Sequence, residues 1–383
     1  MNNAYINDIA VFLPNKPVDN TEIEEVLGMV GEKPSRSRRI ILRNNGIKTR
    51  YYAIDRETGG YTHTNATLTA EAVRALLKQN GSDLNDIECL SCGTSSPDQI
   101  TPGHASMVHG ELGGHPSEAI TAAGICTSGV VALKYAYMAT LAGLSKKAVA
   151  TGSELFSSFM RGKNFEPEME ARINALEDKA ILGFEKDFLR WMLSDGAGAV
   201  LITPNKNPDR ISLKIDWIEY LSFANELPAC MYSGAVRGEN MALQGWRAAE
   251  DPRDILNESY LSIKQDARLL DEYIVPVAVE RTLMPLVEKY GLKPDDITWY
   301  LPHYSSEYFR DKLYAMMQSR GFHIPYERWF TNLSKVGNVG AASVYLMIEE
   351  LMYSGKLKKG DKLLCLIPES GRFSMCYMYL TVV

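Results

Sequence analysis

A single cysteine separates a short apolar segment from a long apolar helical one in the first half of the chain. Ala119-Ile120 leads through small residues to Cys126, and an apolar run from Val130 to Leu144 follows. This order predicts a strand or loop that delivers a thiol to the start of a buried helix. Unpaired backbone N–H groups and the helix dipole favour the thiolate there, and the thiolate is the nucleophile. The alternative is a structural cysteine packed like a small apolar side chain.

Composition limits the classes of function that remain. The chain has 383 residues, of which 45% are hydrophobic, which suffices for a large core or for two halves that share one. A net charge of -6 without any basic block argues against nucleic-acid binding. No apolar run approaches the roughly 18 residues of a membrane span, and the first residues lack the pattern of a secretion signal. We therefore expect a cytoplasmic protein with no membrane span.

The cysteine and histidine pattern does not predict a metal site or a disulfide framework. Six cysteines are too few for such a framework in a chain of this length. Cys89 and Cys92 have metal-knuckle spacing, but no second pair or nearby histidine completes a site. We interpret both as structural residues of a strand, and we expect no metal and no cofactor.

Strand and helix patterns alternate along the chain, which predicts parallel-rich sheets covered by helices. The best boundary is the proline-asparagine stretch 204–208, and beyond it a strand at 211–218, a long helix at about 251–290 and a strand at 297–301 follow. We predict two halves, 1–205 and 206–383, with a charged helical insertion at about 161–190. A duplication is plausible, although the halves share no obvious sequence repeat.

Three later loops carry further polar or glycine residues at strand ends. His303 follows a predicted strand, Asn338 lies in a Gly-Asn-Val-Gly turn before a helix, and Gly371 joins the last two strands. The order Cys126, His303, Asn338 on such loops resembles the thiolase-like condensing enzymes, nearest to the β-ketoacyl-acyl-carrier-protein synthase III branch. The resemblance covers nearly the whole chain and extends to further motifs: Leu13-Pro14, Asn44-Asn45-Gly46-Ile47, the glycine turn 194–200, the segment 337–343, and Gly371 two residues before Phe373.

The resemblance implies a fold, a chemistry and an assembly. The fold is α/β and thiolase-like, with two pseudo-duplicated halves in αβαβα layers. Cys126 takes an acyl group from an acyl-CoA or acyl-carrier-protein thioester, and the N–H groups of Cys126 and Gly371 form the oxyanion hole. His303 and Asn338 hydrogen-bond the carbonyl of the second thioester. A homodimer is implied, in which the strand at 148–152 pairs with its twin across a two-fold axis.

Departures from the synthase III pattern indicate which branch of the family the chain resembles most. Tyr304-Ser305-Ser306 stands where the family usually has Gln-Ala-Asn, and Ser370-Gly371-Arg372 replaces a glycine triplet. The tryptophan that stacks on CoA is missing from 35–43. The pattern looks most like the DarB-type ketosynthases, which join two fatty-acid-derived thioesters, one of them a β-ketoacyl, and close a cyclohexanedione ring on the route to dialkylresorcinols. The alternatives are synthase III-type initiation with a malonyl-carrier, an acyltransferase of the same fold, and a non-catalytic carrier-binding partner.

Ring closure needs a second carbon acid to be deprotonated, and Glu154 is the candidate base. It follows a short strand that ends at Gly152, which we expect to run next to the strand feeding Cys126. Burial there would raise the carboxyl pKa toward neutrality, as suits a general base. The alternative is a surface or helix-capping carboxylate.

Two basic groups are candidates for binding the carrier or CoA. Arg310, Lys312 and Lys335 flank the His303 and Asn338 loops and could receive an acidic carrier protein. The segment 35–43 holds four arginines and is either a solvated face or a phosphate-facing rim: Arg36, Arg38, Arg39 and Arg43. For the first group the alternative is scattered solubilising charge.

Overall fold

The computed structural model describes residues 3–30, 34–35, 37–169 and 188–383. Most of the insertion predicted at 161–190, and Arg36, lie outside the described residues. The strands are β1 (Tyr5–Phe12), β2 (Val18–Asp19), β3 (Thr49–Arg50), β4 (Cys89–Thr94), β5 (Glu118–Ala123), β6 (Ala148–Glu154), β7 (Gly196–Thr203), β8 (Leu213–Ser222), β9 (Met231–Tyr232), β10 (Ala235–Arg237), β11 (Leu243–Gly245), β12 (Lys264–Gln265), β13 (Trp299–Pro302), β14 (Lys362–Pro368) and β15 (Ser374–Val382).

The α-helices of the described residues alternate with these strands. They are α1 (Ile23–Leu27), α2 (Arg38–Asn45), α3 (Asn65–Asn80), α4 (His104–Leu112), α5 (Ser128–Leu141), α6 (Ser157–Met160), α7 (Asp254–Asn257), α8 (Ala267–Ala278), α9 (Met284–Tyr290), α10 (Tyr308–Ser319), α11 (Leu333–Val336) and α12 (Ser343–Tyr353). A π-helical turn, Val279–Leu283, joins α8 to α9.

Nine of these strands form one mixed sheet in the described chain, in the order β13-β14-β15-β8-β1-β7-β6-β4-β5. Strands from residues before 204 occupy one side of the sheet, and strands from residues after 212 occupy the other. The two sides meet where β1 and β8 pair, at Tyr5 with Lys214 and at Ile6 with Leu213. The residues before 204 and those after 212 therefore each form their own group of adjacent strands. The short pairing of β1 with β8 joins the two groups.

Helices α5 and α12 form the central layer. Val130 and Leu133 of α5 share one buried cluster with Val344 and Met347 of α12 and with strand residues from both sides of the sheet. Helices α3 and α4 cover the outer face of the first part, and α8 and α10 cover that of the second. Because β4 and β6 are covered on both faces, all their residues are buried, as is usual for parallel strands.

Two glycines let the central layer close tightly. A Cβ atom at Gly129 in α5 or at Gly152 in β6 would lie 2.2 or 2.3 Å from the carbonyl oxygen of Ala341. No side chain can occupy such a space, so glycine is required at both positions. The turn before α12, which carries Asn338, therefore packs directly on the helix that follows Cys126.

The prediction of one long helix at about 251–290 is wrong. The segment instead holds α7, β12, α8, the π-helical turn and α9. Asp266 begins α8 by accepting hydrogen bonds from the N–H groups of Arg268 and Leu269. Pro276 lies inside α8, shortly before the helix changes to the π-helical turn. The predicted last two strands, at 362–367 and 374–382, are confirmed.

The position predicted for the strand at 148–152 is also wrong. β6 is hydrogen-bonded to β4 on one side and to β7 on the other, so it can neither pair with a twin nor lie next to β5, which feeds Cys126. The chain passes from β4 to β5 through α4 on one face of the sheet, and from β5 to β6 through α5 on the other face. The second crossover passes β4, so β6 lies on the side of β4 that is away from β5. The free edge on this side is β5, where every residue is exposed or half-buried.

Candidate active site

Cys126 lies in a tight turn between the end of β5 and the start of α5. The hydroxyl and the N–H of Ser128 both donate to the carbonyl of Ile125, at 2.7 and 3.1 Å. The thiol is 7% exposed and lines an internal cavity. The predicted placement of the cysteine before a buried helix is therefore correct, with the helix ending at Leu141 instead of Leu144.

The electrostatics of Cys126 differ from the expectation. Burial, and then the charges of Glu369 and Glu154, raise the pKa of the Cys126 thiol well above its ordinary value, while the residue's own backbone N–H acts in the opposite direction. Desolvation of the charged form therefore outweighs the helix dipole. The resting residue is a thiol, and its proton must leave when the sulfur attacks.

His303 and Asn338 line the same cavity as Cys126. His303 directly follows β13 and donates its backbone N–H to the carbonyl of Leu366 at 2.8 Å. Burial lowers the pKa of His303 to about 4, so its imidazole is neutral at physiological pH. A neutral imidazole can still donate one N–H bond to a carbonyl oxygen.

The turn that carries Asn338 is anchored on both sides. The Asn338 N–H donates to the carbonyl of Met192, and its carbonyl accepts from Ser194, both at 2.9 Å. The side-chain Oδ1 accepts the N–H of Gly340 at 3.0 Å. With its oxygen used inside the turn, the amide offers its NH₂ group to the cavity as a donor.

Gly371 packs against the cysteine turn from the loop between β14 and β15. A Cβ atom there would lie 3.0 Å from both Ile125 Cδ1 and Glu369 Oε1, so these two side chains would have to shift to accept it. Within the described residues, the backbone N–H groups of Cys126 and Gly371 donate to no other residue. Phe373, buried in the same loop, has a φ of 59°, which is strained for an aromatic residue.

Glu369 is a site residue that sequence reasoning missed. Its carboxylate accepts the N–H of Ile125 at 3.1 Å and the hydroxyl of Thr127, so it ties the closing loop to the cysteine turn. It is 7% exposed and its charge acts on the Cys126 thiol. The only sequence signal was its place two residues before Gly371, and nothing in the pattern indicated that the side chain turns inward.

Glu154 lies at the end of β6 and is fully buried. Its carboxylate accepts from the hydroxyls of Ser96 and Ser95 at 2.6 and 2.7 Å and from the N–H of Ala341 at 3.1 Å. Burial raises its pKa to about 7 although these hydrogen bonds lower it. Glu154 is not among the residues that line the cavity with Cys126, so any contact with substrate requires an intervening group.

The cavity extends from Cys126 into the space between α8 and α10. Its lining includes Cys126, His303 and Asn338 and is otherwise largely apolar, with residues such as Phe156, Leu189, Leu270, Ile274, Phe309 and Leu313. This lining suits an aliphatic chain whose reactive end lies at the cysteine.

The basic residues predicted to bind a carrier are all near the surface and each has an acidic neighbour. Lys312 pairs with Asp271, and Lys335 with Glu350 at 2.8 Å. Arg310 lies 3.9 Å from Glu307 and stacks over the Tyr326 ring. In the arginine segment, Arg38 pairs with Glu24 at 3.0 Å.

The described residues contain neither a cluster of metal-ligating side chains nor a membrane-spanning helix. No group of three or more histidine, cysteine, aspartate or glutamate side chains there could hold a metal ion. No helix in the same residues is long and apolar enough to cross a membrane.

The chain is similar in sequence to β-ketoacyl-carrier-protein synthases III. Residues 287–369 match the family model described as 3-oxoacyl-[acyl-carrier-protein] synthase III C terminal, a segment that contains His303, Asn338 and Glu369. A β-ketoacyl-[acyl-carrier-protein] synthase III of Clostridium perfringens is 24% identical, with 95% of each chain covered. One from Rhizobium meliloti is also 24% identical, with 94% of this chain and 93% of the relative covered.

Solved structures resemble the chain over almost its full length. A tetronic acid condensing enzyme, AbyA1, superposes with a TM-score of 0.76 at 19% identity, covering 99% of both chains. A point variant of OleA from Xanthomonas campestris gives 0.74 at 21%, covering 99% of this chain and 96% of the other. Synthase III of Pseudomonas aeruginosa gives 0.71 at 17%, covering 99% and 98%. The predicted thiolase-like α/β fold is therefore confirmed.

Proposed function

We propose that this chain is a β-ketoacyl-carrier-protein synthase III-like acyltransferase, a ketosynthase that joins two acyl thioesters through an acyl-enzyme on Cys126. The observation that carries the proposal is that Cys126, His303 and Asn338 line one otherwise largely apolar cavity. A nucleophile in an apolar cavity suits acyl transfer, and two hydrogen-bond donors in the same lining suit a second carbonyl.

In the first step, the Cys126 sulfur attacks the carbonyl carbon of the donor thioester. The thiol proton passes to the departing thiol as the old C–S bond breaks and the new one forms. The N–H groups of Cys126 and Gly371 would hold the negative oxygen of the tetrahedral intermediate. One donor of this kind is typically worth about 3–4 kcal/mol.

In the second step, His303 and Asn338 donate to the carbonyl oxygen of the second thioester. They stabilise the enolate that forms when CO₂ leaves a malonyl group or when a base removes an α-proton. The enolate carbon then attacks the acyl carbon on Cys126, and the cysteine sulfur leaves. A neutral His303 suits this role, because it donates a hydrogen bond without carrying a charge into an apolar cavity.

We further propose that the second substrate is a β-ketoacyl thioester and that the product closes to a dialkylcyclohexanedione, a precursor of dialkylresorcinols. Support comes from residues 304–306, which differ from the synthase III pattern. Two of them, Tyr304 and Ser305, line the cavity. Both substrates would be fatty-acid-derived acyl-CoA or carrier thioesters. Condensation with a malonyl-carrier, as in initiation synthases, is the second candidate and shares both steps above.

Glu154→Gln should load Cys126 at the normal rate but form no cyclic dione. We propose that Glu154 removes the proton for ring closure, with a water between its carboxylate and the substrate. Its pKa of about 7 suits a base, and ring closure should accelerate as the pH rises through that value because only the ionised carboxylate accepts a proton. Product mass after incubation with acyl and β-ketoacyl thioesters is the measurement.

Ser95→Ala provides the matched control, since it removes one hydrogen bond to Glu154 but keeps the carboxylate. It should still form the ring. If Glu154→Gln forms the ring at the wild-type rate, Glu154 only holds the loops of Ser95, Ser96 and Ala341 together, and His303 or a water bound to it is the base.

We propose that an acidic carrier protein docks at Arg310, Lys312 and Lys335. Their present ion pairs are exposed and therefore weak, so a carrier can displace the acidic partners. The double variant Arg310→Glu, Lys312→Glu should raise KM for a carrier-bound substrate several-fold, more at low salt than at high salt. KM for the same acyl group on CoA is the control, and an unchanged KM for the carrier-bound form at every salt concentration excludes this patch.

We also propose a homodimer, joined along β5 instead of β6. This edge strand is half-buried to exposed along its whole length, and pairing with a second copy would satisfy its free backbone groups. Light scattering at micromolar concentration should give twice the 42.7 kDa mass of one chain, and a single-chain mass contradicts the proposal.

A further inference from the structure

One polar side chain in the wall of the cavity takes no part in the mechanism described above. Gln265, in the short strand β12, lines the cavity and is 2% exposed. Its Oε1 is fully buried and has no hydrogen-bond partner in the described part of the chain. Its neighbours in the wall include Met231, Leu270 and Ile274, which offer no polar side-chain group that could satisfy an amide.

An amide oxygen that is buried here without a hydrogen-bond donor destabilises the folded protein. A buried carbonyl oxygen without a donor loses its hydration and gains nothing in return, and nearly all buried polar groups in proteins avoid this. An apolar side chain of similar length, such as methionine, would fill the same space without that penalty. We therefore expect the amide oxygen to accept a hydrogen bond from a group that enters the cavity.

The backbone around Gln265 places it near the reactive end of the cavity. Gln265 pairs with Met231 across β9 and β12. The N–H of Met231 donates to the carbonyl of Ser370 at 2.9 Å, so this small sheet is attached to the loop that carries Gly371. Helix α8 begins two residues after Gln265, and its Leu270 and Ile274 continue the wall as an apolar surface. The amide thus stands between the proposed oxyanion loop and the apolar wall.

We propose that Gln265 determines specificity by hydrogen-bonding an oxygen group carried on the acyl chain close to its thioester. The partner for Oε1 is an O–H donor, either the enol form of a β-ketoacyl group or a hydroxyl. The amide NH₂ group can at the same time donate to an oxygen of that group. This inference rests on the proposed function, and it names the class of acyl chain that the same cavity selects.

The test compares two second substrates of equal chain length, a saturated acyl-CoA and a β-ketoacyl-CoA, on the wild-type protein and on Gln265→Met, each already acylated on Cys126 with the same saturated acyl group. Condensation is followed by product mass and by kcat/KM in competition. The variant should lose about 10- to 100-fold in kcat/KM for the β-keto substrate, because a site built for a hydrogen bond discriminates strongly. Condensation with the saturated substrate should change by less than about two-fold, since an apolar chain gains nothing from the amide. A β-hydroxy substrate separates the two sources of the O–H group.

Leu270→Met is the matched control, because it changes the shape of the same wall without altering its polarity. It should leave the preference between the two second substrates unchanged. The unfolding temperature of Gln265→Met should not fall, since the substitution removes an unpaired buried amide.

An equal loss with both second substrates overturns the proposal, since it places the contact on the pantetheine arm that both share or on the protein itself. An unchanged preference also overturns it. A wild-type protein that is not acylated on Cys126, or that condenses neither substrate, would instead contradict the proposed function, so the two failures are distinguishable.

Discussion

Replacing Cys126 with alanine is expected to abolish acyl-enzyme formation. Cys126 is the one cysteine among the residues described as lining the cavity. Cys89 and Cys92 are buried in β4 and do not line this cavity, so neither is an alternative nucleophile. Removing a catalytic nucleophile typically lowers kcat by about 10⁴- to 10⁶-fold. Intact mass spectrometry after incubation with an acyl-CoA should show the added acyl mass on the wild type and none on Cys126→Ala.

Cys376→Ala is the control for this experiment, since Cys376 is fully buried in β15 and does not line the cavity. It should be acylated as the wild type is. Because the Cys126 pKa lies above its ordinary value, the rate of loading should rise with pH through the neutral range as the thiolate fraction grows. Acylated Cys126→Ala protein would show that another group is the nucleophile.

His303→Ala and Asn338→Ala should each be acylated on Cys126 yet fail to condense. Both side chains are assigned to the second thioester, so the first step does not need them. Loss of one donor to a developing oxyanion costs about 10²- to 10³-fold. A single-turnover experiment should show acyl-enzyme that accumulates with the first thioester and does not decay when the second is added.

The pH profile provides a second readout for His303. With a pKa of about 4, His303 is neutral above that value and is charged only below it. Condensation should therefore show no titration near pH 6.5 that belongs to this residue. His303→Gln, which keeps a neutral donor, should recover part of the condensation rate. Normal product from either alanine variant would show that the assigned donor is not needed.

The sequence predicted the parts of the site that follow from local patterns. Small residues around Cys126, the Gly-Asn-Val-Gly turn of Asn338 and the strand before His303 each mark a loop at the end of a regular element. The structure brings these three loops to one cavity, and the glycines at 129 and 152 show why small residues were needed. The overall class of fold followed from the alternating strands and helices and from the family resemblance.

Features that depend on contacts distant in sequence were not predictable in this way. The position of β6 inside the sheet follows from crossovers on opposite faces, which no local pattern encodes. The raised pKa of Cys126 depends on burial and on Glu369, 243 positions later in the chain. β12 has only two residues, which is too short to show the alternation of buried and exposed residues that marks a strand. The sequence therefore placed Gln265 inside a predicted helix.

The mass of the product formed from one defined acyl thioester and one defined β-ketoacyl thioester tests the central claim most directly. Each C–C bond formed between the two chains joins their carbon atoms in one product. The account predicts a wild-type product that contains the carbon chains of both substrates, and none from Cys126→Ala. A product that contains only one of the two chains, or release of both thioesters unchanged, would contradict it.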